Sequence, residues 1–403
     1  MTRGRGHGKL KLPHQNSLMP SPHLYRQLSE QFRQWITPQD QRHLQGFSEA
    51  VSAILQSESG CPSHWLPYLS HRDCNARSHL ERLHYFLQNP AINAVDYSVP
   101  LLRELLQHWT GATLQLVLDT SVYWDEYCLI EICLVWGGRS LVLAQSVLAH
   151  RSATVGFEDY RPVLEAVVAL LPEGVTVELL ADRGFEHEQL IRWCTQAGWN
   201  WCIRAKSDLR VTLNNGMTQS ISQLLPQSGQ AHLYHQVHIL EDITCHLGTA
   251  YWSEAKEAWA VITNQPPTLQ TFARYGQRFG GIEPHFKDYK SAAFDLTRSH
   301  IRNAKALECL LMLIATAQLW AIQAGFWVFY LQQSAKLDWH GHRGLSFLQL
   351  GLRTLKRLLY QQSRIPQFKP LPHYNPPPAV ASRKKKAQLV ERIEFSRVTV
   401  FNF

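Results

Sequence analysis

Apolar side chains recur at helical spacing through the first 110 residues of the chain. The first series has a period near 3.6 residues and precedes a threonine and a proline that are typical of a helix start (Leu24, Leu28, Phe32, Trp35; Thr37, Pro38). The same spacing predicts helices over residues 38–56, 78–88 and 100–106. Residues 1–110 are therefore predicted to be a basic arm, over residues 1–20, followed by a helical domain.

From residue 114 the pattern changes to short apolar runs, which are typical of buried strands. The runs and the helical stretches between them follow one order (strands 114–119, 128–136 and 140–149; helix 158–171; a strand that ends at Asp182; helix 187–197; strand 199–207). Gly137 and Gly138 predict a tight hairpin between the second and third strands. This order is that of the ribonuclease H-like fold. Residues 111–207 are therefore predicted to be the first part of an α/β core.

The rest of the chain divides into three predicted segments. Residues 208–270 contain short alternating runs and turn residues, which predict a β-rich insertion. Residues 271–330 are predicted to be the second part of the core, and residues 331–403 a C-terminal helical segment with a basic tail. That tail is rich in proline and ends in a cluster of basic residues (Pro366, Pro370, Pro372, Pro376, Pro377, Pro378; Arg383–Lys386).

Two of the predicted buried strands end in an aspartate. One run of apolar residues leads to Asp119, and the stretch VTVELLADRGF repeats the arrangement at Asp182, where Gly184 lets the chain turn sharply. A single aspartate in such a place is usually a helix cap or a solvated strand end. Two of them in one α/β pattern are expected at the same rim of one sheet, which is the outline of a site for divalent metal ions. A third carboxylate, Glu283, is expected to open a helix in YGQRFGGIEPHFKDYKS.

These stretches resemble the DDE transposases of bacterial insertion sequences, in the group whose third acidic residue lies in a Tyr-Arg-Glu-Lys signature. The resemblance runs from about Asp119 to Lys290, and a weaker likeness follows in SFLQLGLRTLKRL. It implies a ribonuclease H-like catalytic core with an insertion that contacts DNA ends. One spacing departs from the family pattern, because four residues separate Arg278 from Glu283 where the family has three. Gly280 and Gly281 are expected to absorb the extra residue as a turn before the helix.

The resemblance implies that Asp119, Asp182 and Glu283 are the catalytic residues and the metal ligands. Two Mg²⁺ ions, for which Mn²⁺ can substitute, would lie about 3.5 to 4 Å apart. Asp119 would bridge both ions, and Asp182 and Glu283 would each hold one. Mg²⁺ retains several waters, so three carboxylates suffice as protein ligands.

The same signature implies that Tyr275, Arg278 and Lys290 contact DNA phosphates. Lys290 lies seven residues beyond Glu283, which is two turns of a regular helix, and the guanidinium of Arg278 can bind a phosphate through two parallel hydrogen bonds. The alternative for both cations is a solvated basic face. The implied partners are the terminal inverted repeats of the element, target DNA, and a second copy of the chain, as a homodimer in the synaptic complex.

Composition agrees with this hypothesis without requiring it. The net charge of +8 and the sequence pI near 9.1 favour a polyanionic partner weakly. The eight cysteines contain no CxxC pair, which favours free thiols in a reducing compartment. The first residues, MTRGRGHGKLKLPHQ, lack the apolar segment of a signal peptide, so the protein is predicted to be cytoplasmic and nucleoid-associated.

Three features of the sequence each allow two interpretations. Residues 307–331 are long enough to span a bilayer, but they contain Glu308, Gln318 and Gln323, so a buried core helix is favoured and no membrane is expected. The helices over 38–56 and 78–88 are candidates for a helix-turn-helix, against plain helical packing. The alternative function is a non-catalytic DNA-binding protein derived from a transposase.

Overall fold

The computed structural model describes residues 23–69, 74–109, 113–253, 255–372, 376–382 and 395–401, without the side chains of residues 277–280 and 292. The predicted basic arm over residues 1–20 and the basic cluster Arg383–Lys386 lie outside the described residues. All eight cysteines are free, and all but Cys74 are buried, as the sequence predicts.

The N-terminal region is helical, as its periodicity predicts. It contains α1 (His23–Trp35), α2 (Gln41–Ser57), a 3-10 helix (Pro62–Tyr68), α3 (Ala76–Gln88) and α4 (Ala94–Leu106). Three of the α-helices start where a side chain caps free backbone N–H groups, at Asp40, Asn75 and Asn93. The apolar face of α2 is buried, and Phe32 of α1 packs edge-on against Trp320 at 5.2 Å between ring centroids.

These helices do not build a core of their own. One continuous cluster of buried apolar residues runs from Leu24 to Leu371 and includes the central sheet. The helix-turn-helix hypothesis also fails for α2 and α3, because the connection between them contains the 3-10 helix and is far longer than the three or four residues of that motif. The helical region is therefore a layer of the same body.

Five strands form the predicted ribonuclease H-like core. They are β1 (Thr113–Tyr123), β2 (Tyr127–Trp136), β3 (Arg139–Leu148), β4 (Thr176–Ala181) and β5 (Asn200–Arg204), with α5 (Phe157–Leu170) and α6 (Glu188–Gln196) between the last three. Their order in the sheet is β3-β2-β1-β4-β5. Strands β1, β2 and β3 pair antiparallel, whereas β4 pairs parallel to both β1 and β5. The fold class predicted from the order of elements is confirmed.

The segment over residues 208–270 is β-rich, as predicted, and its strands extend the core sheet. It contains β6 (Arg210–Thr212), β7 (Thr218–Ser220), the short α7 (Ile221–Leu224), β8 (Gln230–Ile239), β9 (Ile243–Tyr251) and β10 (Trp259–Thr263). Strand β10 pairs antiparallel with β5, and the sheet continues through β9 and β8 to β6 and β7. The C-terminal β11 (Arg397–Phe401) pairs parallel with β8. The described strands therefore form a single sheet of 11 strands.

Helix α8 (Leu269–Lys287) carries the third acidic residue, and it corrects two predictions. Glu283 does not open a helix but lies near the end of one, and Gly280 and Gly281 are helical positions, with no turn before Glu283. A β-carbon on Gly281 would lie 3.0 Å from Val135 of β2, so this glycine permits a close approach of helix and sheet. The α-helix then gives way to a π-helix (Asp288–Ala292), so the regular two-turn spacing from Glu283 to Lys290 does not hold.

Two packed helices complete the body. Helix α9 (Ala304–Tyr330) is long and apolar enough to cross a membrane, and 94% of its most apolar window is buried inside the structure, as in core helices. Helix α10 (Phe347–Tyr360) crosses it at backbone contact through Gly325 and Gly351. A β-carbon on Gly351 would lie 1.6 Å from the carbonyl oxygen of Ala321. Only glycine fits at this crossing.

Candidate active site

Asp119 and Asp182 lie side by side at one rim of the sheet. Leu118 of β1 and Ala181 of β4 are register partners on parallel strands, so the next residue on each chain is an aspartate. Successive side chains alternate between the two faces of a sheet, so both aspartates stand on the same face. The two aspartates are thus adjacent, but β1 continues to Tyr123, so the prediction that its strand ends at Asp119 is wrong. Only Asp182 follows the end of its strand.

Backbone N–H groups orient both carboxylates. Asp119 Oδ1 accepts a hydrogen bond from the N–H of Thr120 at 2.8 Å, and Asp182 Oδ1 accepts one from the N–H of Gly184. A cavity of about 290 Å³ opens over the two aspartates, lined also by residues 153–155 and Phe185. The site is thus a cleft with its acidic groups held by the backbone.

Glu283 approaches the same site from α8. The buried neighbour Ile282 packs against Val117, Cys133 and Val135, which places α8 across β1 and β2. Glu283 itself is exposed on the flank of the helix. The negative charge of Glu283 is one of those that raise the pKa of Asp119.

The pKa of Asp119 is raised to about 7, chiefly by burial and also by the negative charges of Asp182, Glu131 and Glu283, while the hydrogen bond from Thr120 lowers it. The carboxylates of the site therefore repel one another when all are ionised. A cation bound among them would remove that repulsion. Carboxylate oxygens are the ligands that Mg²⁺ and Mn²⁺ prefer, so the donor set fits the predicted ions.

The three residues predicted to contact phosphates have different surroundings. Tyr275 is only 1% exposed, and its hydroxyl donates to the carbonyl oxygen of Ala181 at 2.8 Å, so a phosphate contact by this hydroxyl is contradicted. It supports the residue before Asp182 instead. Lys290 is half-buried, with Nζ 5.1 Å from the ring centroid of Tyr123, on the strand of Asp119. Arg278 is a helical residue of α8, and its side chain lies outside the described part.

Sequence reasoning missed a fourth carboxylate, Glu131, and a histidine, His285. Glu131 of β2 is the register partner of Asp119 across the antiparallel pair and is fully buried. Its Oε2 lies 2.9 Å from His285 Nε2. The signal was present in CLIEICLVW, where Glu131 is the one charged residue of an otherwise apolar run. A charge in a strand that is buried on both faces needs a partner.

Two comparisons found known proteins that are similar to this chain. Residues 126–320 match the family model described as Transposase DDE domain, a range that includes Asp182 and Glu283 and begins after Asp119. A cryo-EM structure of the piggyBac transposase synaptic complex with hairpin DNA is similar at 10% identity and a TM-score of 0.41, over 84% of this chain and 78% of that chain. Among curated proteins, none matches this chain.

The matched family model supports a transposase function for this chain. The chain carries a transposase DDE domain over residues 126–320, as the resemblance in its sequence indicated. Members of this family are polynucleotidyl transferases that act with divalent metal ions.

Proposed function

We propose that this protein is a DNA transposase that cleaves strands at the ends of its element and joins them to target DNA by a cut-and-paste route. The observation that carries the proposal is the register of β1 and β4, which puts Asp119 beside Asp182 under one cleft. The negative charge of Glu283 also acts on Asp119. In the alternative, a non-catalytic DNA-binding protein, three carboxylates whose negative charges repel one another would cost stability without a function to offset it.

Asp119, Asp182 and Glu283 would hold two Mg²⁺ ions, with Mn²⁺ as a substitute. Such ions lower the pKa of an attacking water or 3′ hydroxyl and stabilise the leaving 3′ oxygen. The residues of the chain contribute orientation: the N–H groups of Thr120 and Gly184 fix two of the carboxylates. Preorganised carboxylates need no rearrangement when DNA arrives.

Lys290 and Arg278 are proposed to bind phosphates close to the scissile bond. The ammonium group of Lys290 stands over the ring of Tyr123, four residues beyond Asp119 on the same strand and therefore on the same face of the sheet. A cation there lies where the DNA backbone must pass to reach the carboxylates. We propose a homodimer on paired element ends, acting in the cytoplasm at the nucleoid.

The test is cleavage of DNA that carries the inverted repeats flanking the gene. Asp119→Asn, Asp182→Asn and Glu283→Gln each remove a ligand charge with little change in volume, so each should abolish cleavage in Mg²⁺ while end binding persists. Asp208→Asn, an exposed aspartate, is the matched control and should cleave normally. Wild-type protein that binds the ends but never cuts them would favour the non-catalytic DNA-binding protein.

A further inference from the structure

A hydrogen-bonded network lies buried behind the candidate active site, between the sheet and helices α8 and α9. His285 Nε2 donates to Glu131 Oε2 at 2.9 Å, and Gln318 Nε2 donates to His285 Nδ1 at 3.2 Å. Glu131 and His285 are 0% exposed and Gln318 is 1% exposed. We call these three residues the Glu131–His285–Gln318 network.

The net contribution of this network to the stability of the fold is expected to be small. Well-packed apolar side chains of similar volume are often as stabilising as a buried charged pair, or more so. The remaining oxygen of Glu131, Oε1, is buried and has no hydrogen-bond partner among the residues that the structure describes. Burial of Oε1 carries a desolvation cost, which the bond of Oε2 to His285 offsets only in part. Net stabilisation is therefore a weak explanation for the network.

The two ends of the Glu131–His285 bond are next to two of the proposed metal ligands. Glu131 is the register partner of Asp119, and His285 is two residues beyond Glu283 on α8. The apolar contact between α8 and this part of the sheet involves Ile282 and the cluster around Val117. Apolar contacts are not directional, and the hydrogen bond from Tyr275 to Ala181 lies eight residues before Glu283 on α8. A hydrogen bond holds its partners to a narrow range of distance and angle.

We propose that the Glu131–His285–Gln318 network positions helix α8 so that Glu283 reaches the metal site formed with Asp119 and Asp182. Gln318 holds the imidazole ring with its hydrogen on Nε2, so that the ring donates to Glu131. His285 and Glu131 are positioning residues in this proposal, and they touch neither DNA nor the reacting atoms. The inference rests on the proposed function, in which the three carboxylates share metal ions.

The test maps bound metal onto the polypeptide and does not depend on DNA cleavage. Fe²⁺ occupies Mg²⁺ sites, and with ascorbate and peroxide it cuts the backbone next to its ligands. Wild-type protein should be cut near Asp119, Asp182 and Glu283, and added Mg²⁺ should suppress all three cuts. Absence of these cuts in the wild type would refute the metal site of the proposed function, separately from the network.

Two variants isolate the network from the stability of the fold. The double variant Glu131→Leu with His285→Leu removes the bond and leaves no unpaired charge, although the amide of Gln318 loses its acceptor, so its urea midpoint should stay close to that of the wild type. Its cut near Glu283 should fall at least tenfold while the cuts near Asp119 and Asp182 persist. About 10- to 100-fold more Mg²⁺ should be needed to suppress them, as for other residues that orient metal ligands.

The single variant Glu131→Gln keeps an oxygen that accepts from His285, so it should keep the cut near Glu283. A double variant that folds and is cut at all three places like the wild type would overturn the proposal.

Metal analysis supplies a second way to overturn it. The ligand atoms of Glu131, Cys133 and His285 lie within 4.8 Å of one another. A metal ion that co-purifies with the wild type and is absent from the double variant would show that a bound ion, rather than the hydrogen bond, joins the helix to the sheet.

Discussion

The raised pKa of Asp119 predicts that Asp119→Asn makes the metal-free protein more stable at neutral and alkaline pH. Burial and the neighbouring carboxylates raise this pKa from 3.8 to about 7. The folded protein therefore binds a proton at Asp119 that the unfolded chain releases. Stability from this proton is fully present below about pH 4, and it is lost as the pH rises towards 7.

The size of the effect follows from the shift. About three pKa units at about 1.4 kcal/mol each give roughly 4 kcal/mol of destabilisation above pH 7. Asparagine cannot ionise, so Asp119→Asn should escape this cost. Between about pH 5 and pH 7 the stability difference between variant and wild type should grow by about 2.5 kcal/mol, because the slope is about 1.4 kcal/mol per pH unit.

The assay is urea unfolding in EDTA at several pH values, with Asp208→Asn as the exposed control. Mg²⁺ should stabilise the wild type at pH 8, because it binds the folded protein, and should leave Asp119→Asn nearly unchanged. Parallel pH profiles for the wild type and Asp119→Asn would refute the reasoning, since Asp119 would then titrate alike in folded and unfolded protein.

Three further changes have defined outcomes. Lys290→Ala should weaken binding to the element ends and reduce the salt slope of that binding by about one, measured by titration at several salt concentrations. Lys287→Ala, at an exposed lysine, is the control. Equal slopes for the two variants would show that Lys290 is a solvated surface residue with no phosphate contact. Tyr275→Phe leaves the Ala181 carbonyl without its donor, so the free energy of unfolding should drop by about 1–3 kcal/mol in urea titrations. Gly351→Ala forces α9 and α10 apart and should cost at least about 1–3 kcal/mol. Gly276→Ala, with its nearest contact at 3.6 Å, should be tolerated, and similar thermal midpoints for the two glycine variants would contradict this account.

Local patterns in the sequence determined the elements and the rim where two aspartates meet. A run of alternating or continuous apolar residues indicates a strand from residues that are neighbours in sequence. The strands over residues 114–119 and 128–136 could therefore be predicted without knowledge of the fold. The sequence also indicated that Asp119 and Asp182 lie close together, because each directly follows an apolar run and the two runs form parallel neighbours in the sheet. It did not show that β1 continues to Tyr123, which pairing with β2 decides. The resemblance to DDE transposases supplied the family, which the match over residues 126–320 confirms.

Only the tertiary structure decided how Glu283 is presented. Gly280 and Gly281 have the local signature of a turn, yet the close approach of α8 to Val135 makes glycine a packing residue within a helix. The partners of Tyr275 and Glu131 are distant in sequence, and no local pattern shows which carbonyl or imidazole will face them. Side chains of this kind are placed by contacts between elements. Periodicity and spacing therefore could not predict their roles, whereas they did indicate Asp119 and Asp182, which directly follow apolar runs.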